Sequence, residues 1–189
     1  MLKEKLLLAS ASPRRAAILR AVGWSFETWA ANIDETMRTG EKAEDAVQRL
    51  ALGKAEAAAR LHPNALVLAA DTTVVVDSQI LEKPQDDREA RRMLGLLSGR
   101  WHDVLTGVAL ARNDRRAVAY ERTQVRFSEM SAEEIDWYIQ SGEPTDKAGA
   151  YAIQGRASLF IEEIQGDYWN IVGLPIRLVY RLMKSKDEG

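Results

Sequence analysis

Two kinds of apolar pattern alternate along the chain. Short continuous runs, such as Leu6-Leu7-Leu8-Ala9 and Leu66-Val67-Leu68-Ala69, are typical of buried strands. Longer segments repeat apolar residues every three or four positions, and the clearest of them predicts a helix over residues 43–61. Strands that alternate with helices in this way predict an α/β fold.

The same patterns predict the remaining elements. Further helices are expected from Pro13 to a stop at Gly23, over 86–98, from a capping box at Ser131 and Glu134 to about Gly142, and from Pro175 onward. Further strands are expected over 26–30, 72–76, 101–111, 117–127 and 159–164. Because no repeat or low-complexity linker divides these elements, we predict a single domain over residues 1–189.

The turn after the first strand has features that suit an anion. Ser12 occupies the expected N-cap position, so the following helix would present backbone N–H groups and the positive end of its dipole. Arg14 and Arg15 add two cations where the dipole disfavours them, and Ser10 adds a hydroxyl. This combination predicts a phosphate site. The alternative is a well-capped helix whose two arginines are solvated.

Composition and charge exclude several classes of function. The 26 basic and 28 acidic side chains give a net charge of -2, which argues against a protein that binds duplex nucleic acid. Without cysteine, thiol nucleophiles and disulfides are excluded, and His62 and His102 do not form a zinc-binding motif. The sequence also lacks the GxSxG and P-loop motifs, a signal-peptide core and any long apolar run. We therefore expect a cytoplasmic protein without a membrane partner.

Two charged residues interrupt apolar patterns. Asp71 is expected at the end of the buried strand over 66–70, where open α/β sheets bind their ligands, although it could instead cap a turn. Lys54 shares a helix face with Val47, Leu50 and Ala58, so we expect its ammonium to point inward toward an anion. The alternative is that the lysine stem packs on this face while its ammonium reaches solvent.

Other polar residues complete the set of candidates. Lys83 precedes Pro84, which favours an extended backbone, and Glu35 lies in an acidic loop. In residues 146–155, Gly149 and Gly155 allow close approach of the backbone, and the Gln154 amide can read the edge of a base. Several cations, two acids and no strong nucleophile fit metal-assisted phosphoryl or nucleotidyl transfer to water.

These motifs, taken in order, resemble the Maf family of nucleoside triphosphate pyrophosphatases along nearly the whole chain. They are Ser10-Ala11-Ser12-Pro13-Arg14-Arg15, Asp34-Glu35, Leu52-Gly53-Lys54-Ala55, Ala70-Asp71-Thr72, Glu82-Lys83-Pro84, Leu97-Ser98-Gly99 with Thr106-Gly107, and Asp146 to Gly155. The resemblance implies an elongated mixed β-sheet flanked by helices, with two lobes around a central cleft. The segment from Asp146 to Gly155 is similar to the branch that acts on dTTP and UTP, except that Ala152 stands where that branch usually has glycine.

The resemblance also implies roles for particular residues. Asp71 would activate a water for attack on the α-phosphorus, and Glu35 with Asp71 would bind Mg²⁺ or Mn²⁺. The implied phosphate and substrate ligands are Arg14, Arg15, Lys54, Lys83, Ser10 and Ser12, and the implied determinants of base choice are Arg14, Thr72 and Gln154. Family members often form homodimers, which makes a homodimer an expectation here.

Two other functions remain open from the sequence. The chain could be a nucleotide-binding regulator of cell division whose hydrolysis is incidental, since the same cations would serve it. It could also be a pyrophosphatase for 7-methyl-GTP or ITP. The acid pair Asp71 and Glu35 favours catalysis, because binding a polyanion gains nothing from two carboxylates unless a metal joins them.

Overall fold

The computed structural model describes residues 5–185. Its helices are α1 (Pro13–Ala21), α2 (Ala43–Leu61), α3 (Asp87–Leu97), α4 (Ala132–Gln140), α5 (Tyr168–Val172) and α6 (Ile176–Lys184). Its strands are β1 (Leu6–Leu8), β2 (Phe26–Thr28), β3 (Leu66–Val76), β4 (Gln79–Leu81), β5 (Trp101–Arg112), β6 (Arg115–Phe127) and β7 (Ile161–Gln165). Within this part of the chain, no helix combines the length and apolar composition needed to span a bilayer.

The seven strands form one mixed sheet in the order β2-β1-β3-β5-β6-β7, with β4 paired to β3. Strand β1 is parallel to both of its neighbours, with Leu6 opposite Phe26 on one side and Leu66 on the other. Strands β3 and β4 are antiparallel, as are β6 and β7. All three residues of β1 are buried, because a strand between two parallel neighbours is covered on both faces of the sheet. The prediction of a mixed α/β sheet flanked by helices is confirmed.

The chain divides into two compact units. The first comprises the described residues up to Asp71, Thr106–Glu121 and the described residues from Gly173 onward, and the second comprises Thr72–Leu105 and Arg122–Val172. One core cluster of the first unit consists mostly of small side chains, and in it Ala51, Ala55 and Ala109 pack with Leu7 and Val67. Larger side chains, including Phe127 and Tyr138, fill the core of the second. The prediction of a single domain over residues 1–189 stays a prediction.

The long helix and the hairpin agree closely with the sequence patterns, whereas two strand predictions were wrong and two short elements, β4 and α5, were not predicted. Strand β3 continues through Asp71 to Val76, so Asp71 lies inside a strand and not at its end. Strand β7 begins at Ile161, because Leu159 belongs to a 3-10 turn over Arg156–Phe160. Helix α5 was not predicted, since five residues are too few to show a helical period.

Candidate active site

Lys54 joins two carboxylates in the first unit. Its ammonium Nζ lies 2.6 Å from Asp71 Oδ1 and 3.1 Å from Glu35 Oε2. The side chains of Lys54 and Asp71 are only 10% and 14% exposed, whereas half of the Glu35 side chain is exposed. Lys54 therefore points inward toward acids and does not reach solvent, as its place on the apolar face of α2 predicts. A buried charge needs such a partner.

Arg15 brings a second cation close to the same carboxylates. Its Nε donates a hydrogen bond to the Gly173 carbonyl at 2.8 Å, and its Nη1 donates to Ser10 Oγ at 3.2 Å. Burial lowers the pKa of Arg15 below its ordinary value, while the charges of Asp71 and Glu35 oppose that shift. The guanidinium is thus held in one orientation beside two acids.

The turn between β1 and α1 differs in detail from its prediction. Ser12 occupies the N-cap position and Pro13 begins the helix, but the Ser12 side chain makes no capping hydrogen bond. Instead, the Ser12 N–H donates to Ser10 Oγ at 3.2 Å, the same oxygen that accepts from Arg15. The buried Ser10 hydroxyl therefore orients both the turn and the arginine. Arg14, half-buried on α1, lies near enough for its charge to lower the pKa of Arg15.

Glu35 lies in the loop that precedes α2, and Arg49 on α2 holds this loop through hydrogen bonds. Arg49 forms a bidentate pair with Glu41, with Nε and Nη2 at 2.6 and 2.7 Å from its two oxygens. Its Nη2 also donates to the carbonyl of Thr36, the residue after Glu35, at 3.2 Å. The Asp34 carboxylate accepts the Thr36 N–H at 2.9 Å. Sequence patterns gave no signal for Arg49, because its partners lie 8 and 13 positions away.

Three predicted site residues belong to the second unit. Thr72 directly follows Asp71 in β3 and is half-buried, whereas Lys83, just after β4, and Gln154 are exposed. The structure thus brings together Ser10, Arg15, Glu35, Lys54 and Asp71 within the first unit. The roles of Thr72, Lys83 and Gln154 stay predictions.

The donor set near Asp71 fits a hard divalent cation that shares its ligands with a substrate. Asp71 and Glu35 offer carboxylate oxygens, and Mg²⁺ is usually held by one or two carboxylates together with substrate phosphates and water. Among residues 5–185, no group of three or more acidic or histidine side chains could hold a metal ion. The residues therefore suit a cation that arrives with a phosphate ligand and not a cage made by the protein alone.

Comparison with known structures shows that the fold resembles that of the Ham1 protein. The chain superposes on the Staphylococcus aureus Ham1 protein with a TM-score of 0.56, covering 97% of this chain and 100% of that one. The two sequences are only 14% identical, so this similarity concerns the fold alone.

Sequence comparison then defines the family. The Maf-like protein family profile matches residues 5–186, and the chain therefore belongs to the Maf family. It is 52% identical over 180 residues to the dTTP/UTP pyrophosphatase of Symbiobacterium thermophilum, covering 95% of this chain and 93% of that protein. It is 48% identical over 186 residues to the dTTP/UTP pyrophosphatase of Bacillus cytotoxicus, covering 98% and 97%. The predicted family resemblance is confirmed.

Proposed function

We propose that the chain hydrolyses dTTP and UTP to the nucleoside monophosphate and pyrophosphate. The observation that carries this proposal is the buried Lys54 that joins Asp71 and Glu35 beside Arg15, since it sets cations next to a carboxylate that can accept a proton. Relatives that are about half identical over nearly their whole length bear the name dTTP/UTP pyrophosphatase. Both observations favour an enzyme over a nucleotide-binding regulator.

Asp71 acts as the general base in this proposal. Its carboxylate takes a proton from a water molecule as the water oxygen attacks the α-phosphorus and the bond to the pyrophosphate breaks. Lys54, 2.6 Å from Asp71 Oδ1, compensates the charge of that carboxylate in a largely buried position and offers a cation to the phosphates. Because both side chains lie on regular elements, α2 and β3, their relative position is held firmly.

Cations and donors of the first unit bind the phosphates. Arg15 holds its orientation through Ser10 and Gly173, so it meets the substrate with little loss of side-chain entropy. Arg14, Ser12 and the N-terminus of α1 add positive charge and donors at the same turn. In the second unit, Lys83 contributes a further cation, and Thr72 and Gln154 contribute to base choice.

Mg²⁺ or Mn²⁺ is the proposed cofactor, with Glu35 and Asp71 as its protein ligands. When bound with the substrate, such a cation neutralises phosphate charge and polarises the phosphoryl oxygens. The other proposed properties follow from the substrate. In this proposal the partner is the nucleotide substrate, and neither nucleic acid nor a membrane is a partner. A cytoplasmic location matches the place where nucleoside triphosphates are used. The homodimer stays a prediction.

Pyrophosphate release tests the function directly. The wild-type chain and Asp71→Asn are compared on dTTP, UTP, CTP, 7-methyl-GTP and ITP, with Mg²⁺, Mn²⁺ or EDTA. We expect fast release from dTTP and UTP that requires a divalent cation and falls by about 10²–10⁴-fold in Asp71→Asn, because the general base is lost. Asp45→Asn, at an exposed position in the first turn of α2, is the matched control and should keep the wild-type rate.

Each contrary outcome has a definite meaning. Pyrophosphate release only from 7-methyl-GTP or ITP would show that the chain is a pyrophosphatase with a different substrate. Nucleotide binding without release from any of the five would make the chain a binding protein. A wild-type rate in folded Asp71→Asn would remove Asp71 as the base.

A further inference from the structure

A short segment of the second unit holds Gln154 between two anchored backbone amides. The Ala152 N–H donates to the Tyr138 hydroxyl at 3.3 Å, and the Arg156 N–H donates to Glu143 Oε2 at 2.9 Å. Between these anchors, the Gly155 N–H donates to the Ala152 carbonyl at 3.1 Å, which turns the chain. The exposed Gln154 side chain projects from this turn. Its backbone is therefore fixed on both sides.

The two acceptors are themselves held firmly at the end of α4. The Tyr138 side chain is fully buried, and Ser141 Oγ donates to the Tyr138 carbonyl at 2.6 Å. The same hydroxyl accepts the Glu143 N–H at 3.2 Å, and Lys147 Nζ donates to the Glu143 carbonyl at 2.7 Å. These bonds tie the backbone of Glu143 to that of Tyr138 and so restrict the movement of one residue relative to the other.

Gly155 shows how closely the Glu143 carboxylate packs on this segment. A Cβ added at Gly155 would lie 2.2 Å from Glu143 Oε2 and 2.8 Å from its Cδ. The backbone there has a φ of -112°, which any residue can adopt, so conformation alone does not require glycine. Glycine is instead needed for space, because the Glu143 carboxylate occupies the position of a side chain at residue 155.

We propose that Tyr138 and Glu143 are positioning residues that set nucleobase selectivity by fixing the backbone on either side of Gln154. This inference rests on the proposed function. A glutamine side chain carries both a donor and an acceptor, so it distinguishes bases by the direction in which its amide points. Thymine presents a carbonyl oxygen where cytosine presents an amino group, and an amide in one fixed orientation favours one over the other. A loosened backbone would relax that choice.

Three variants that remove, displace or conserve the Glu143 acceptor test the proposal. Glu143→Ala removes the acceptor, Gly155→Ala displaces it, and Glu143→Gln keeps an oxygen that can accept the Arg156 N–H. Values of kcat/KM are measured for dTTP, UTP and CTP. We expect the preference for dTTP over CTP to fall about 3- to 10-fold in the first two, as for the loss of one hydrogen bond, and Glu143→Gln to stay near wild type. Glu163→Ala, at an exposed position in β7, is the control.

A double mutant separates positioning from general damage to the fold. If Glu143 acts through Gln154, then Glu143→Ala should change selectivity little once Gln154→Ala is present. In Glu143→Ala, the Arg156 amide should also exchange with deuterium faster than in wild type. The proposal is overturned if Glu143→Ala lowers kcat/KM equally for all three nucleotides, if its effect on selectivity adds fully to that of Gln154→Ala, or if selectivity stays at the wild-type value.

Binding measurements keep the two proposals distinguishable. Equilibrium binding of dTTP and CTP to Asp71→Asn, with and without Glu143→Ala, reports base selectivity without turnover. If the wild type hydrolyses none of the nucleotides, the proposed activity is wrong, and the positioning role is then judged on binding alone. If Asp71→Asn shows no preference between dTTP and CTP, or if Glu143→Ala leaves that preference unchanged, the positioning role is wrong.

Discussion

Lys54 Nζ and Asp71 Oδ1 lie 2.6 Å apart, and both side chains are largely withdrawn from water. The pair joins two elements that are distant in sequence, α2 and β3, and it extends to Glu35 in the loop before α2. An ion pair in such surroundings has a testable consequence, because removing one partner leaves the other largely buried without the charge that lies against it.

Replacing Lys54 by Met should destabilise the fold. We expect a loss of about 3 kcal/mol at pH 7, because Asp71 loses the cation that lies against it in a largely buried position. Urea unfolding at pH 7 measures this loss. In Lys54→Met/Asp71→Leu the loss should be smaller than in the single variant, and additive losses would contradict the pairing.

Arg49 should support activity without touching the reacting groups. Lysine at this position cannot make the bidentate pair with Glu41 and also bind the Thr36 carbonyl, so the loop that carries Glu35 should become less ordered. We expect Arg49→Lys to lower kcat/KM about 3- to 10-fold. Arg60→Lys, at an exposed position on the last turn of α2, is the control. Equal kinetics in the two variants would show that the Glu35 loop does not depend on Arg49.

The same pair predicts behaviour in acid. Arg49 lowers the pKa of Glu41 from its ordinary value near 4.5 to about 2. The stabilisation from a lowered carboxyl pKa is complete above the unfolded value and is lost as the pH falls toward the folded value. The Arg49–Glu41 pair should therefore persist from neutral pH down to about 4.5 and weaken between about 4.5 and about 2. NMR titration of the Glu41 carboxyl carbon measures this pKa, and a value near 4.5 would contradict the pair.

Gly107 should tolerate no side chain. A Cβ there would lie 2.1 Å from the Val47 carbonyl oxygen and 2.4 Å from its carbon, so β5 and the α2 backbone would have to separate. We expect Gly107→Ala to cost about 1–3 kcal/mol, as other overpacked core substitutions do. Gly95→Ala is the matched control, because Gly95 is exposed on α3 and nothing lies within 4 Å of its added Cβ. That variant should gain about 0.5–1 kcal/mol, and equal stabilities would contradict the close approach.

His102 should make the fold less stable as the pH falls. Burial lowers its pKa from 6.5 to about 4, its Nε2 lies 2.8 Å from the Tyr151 hydroxyl, and Asp103 opposes the shift only in part. The rings of Phe127 and Tyr151 pack edge-on against it. Because the folded state holds His102 neutral, its stabilisation is complete above pH 6.5 and is lost progressively down to about pH 4.

The expected loss is about 3 kcal/mol, at 1.36 kcal/mol for each pH unit between the two pKa values. Free energies of unfolding for wild type and His102→Gln, taken from urea titrations at pH 7, 5.5 and 4, isolate this contribution from that of the carboxylates. The decline should be smaller in His102→Gln. His62→Gln, at the half-exposed C-cap of α2, should decline like wild type. Equal declines in all three would show that His102 does not cause the acid sensitivity.

Local sequence patterns were sufficient for most of the elements. The helix over 43–61 begins and ends as its apolar period predicts, and Ser131 with Glu134 forms the expected capping box. The strand through Asp71 shows where such patterns fail. Aspartate is unfavourable inside a strand, so its position suggested a break, but Lys54 compensates the charge and the strand continues.

The sequence by itself determined the fold class, the family and most of the candidate site residues, because periodicity and short motifs are local properties. Only the tertiary structure decided which polar groups meet. Lys54 finds Asp71 across 17 positions, Arg15 finds Gly173 across 158, and Glu143 finds Arg156 across 13. Side-chain hydrogen bonds depend on distances of a few ångströms between elements, and no local pattern carries that information.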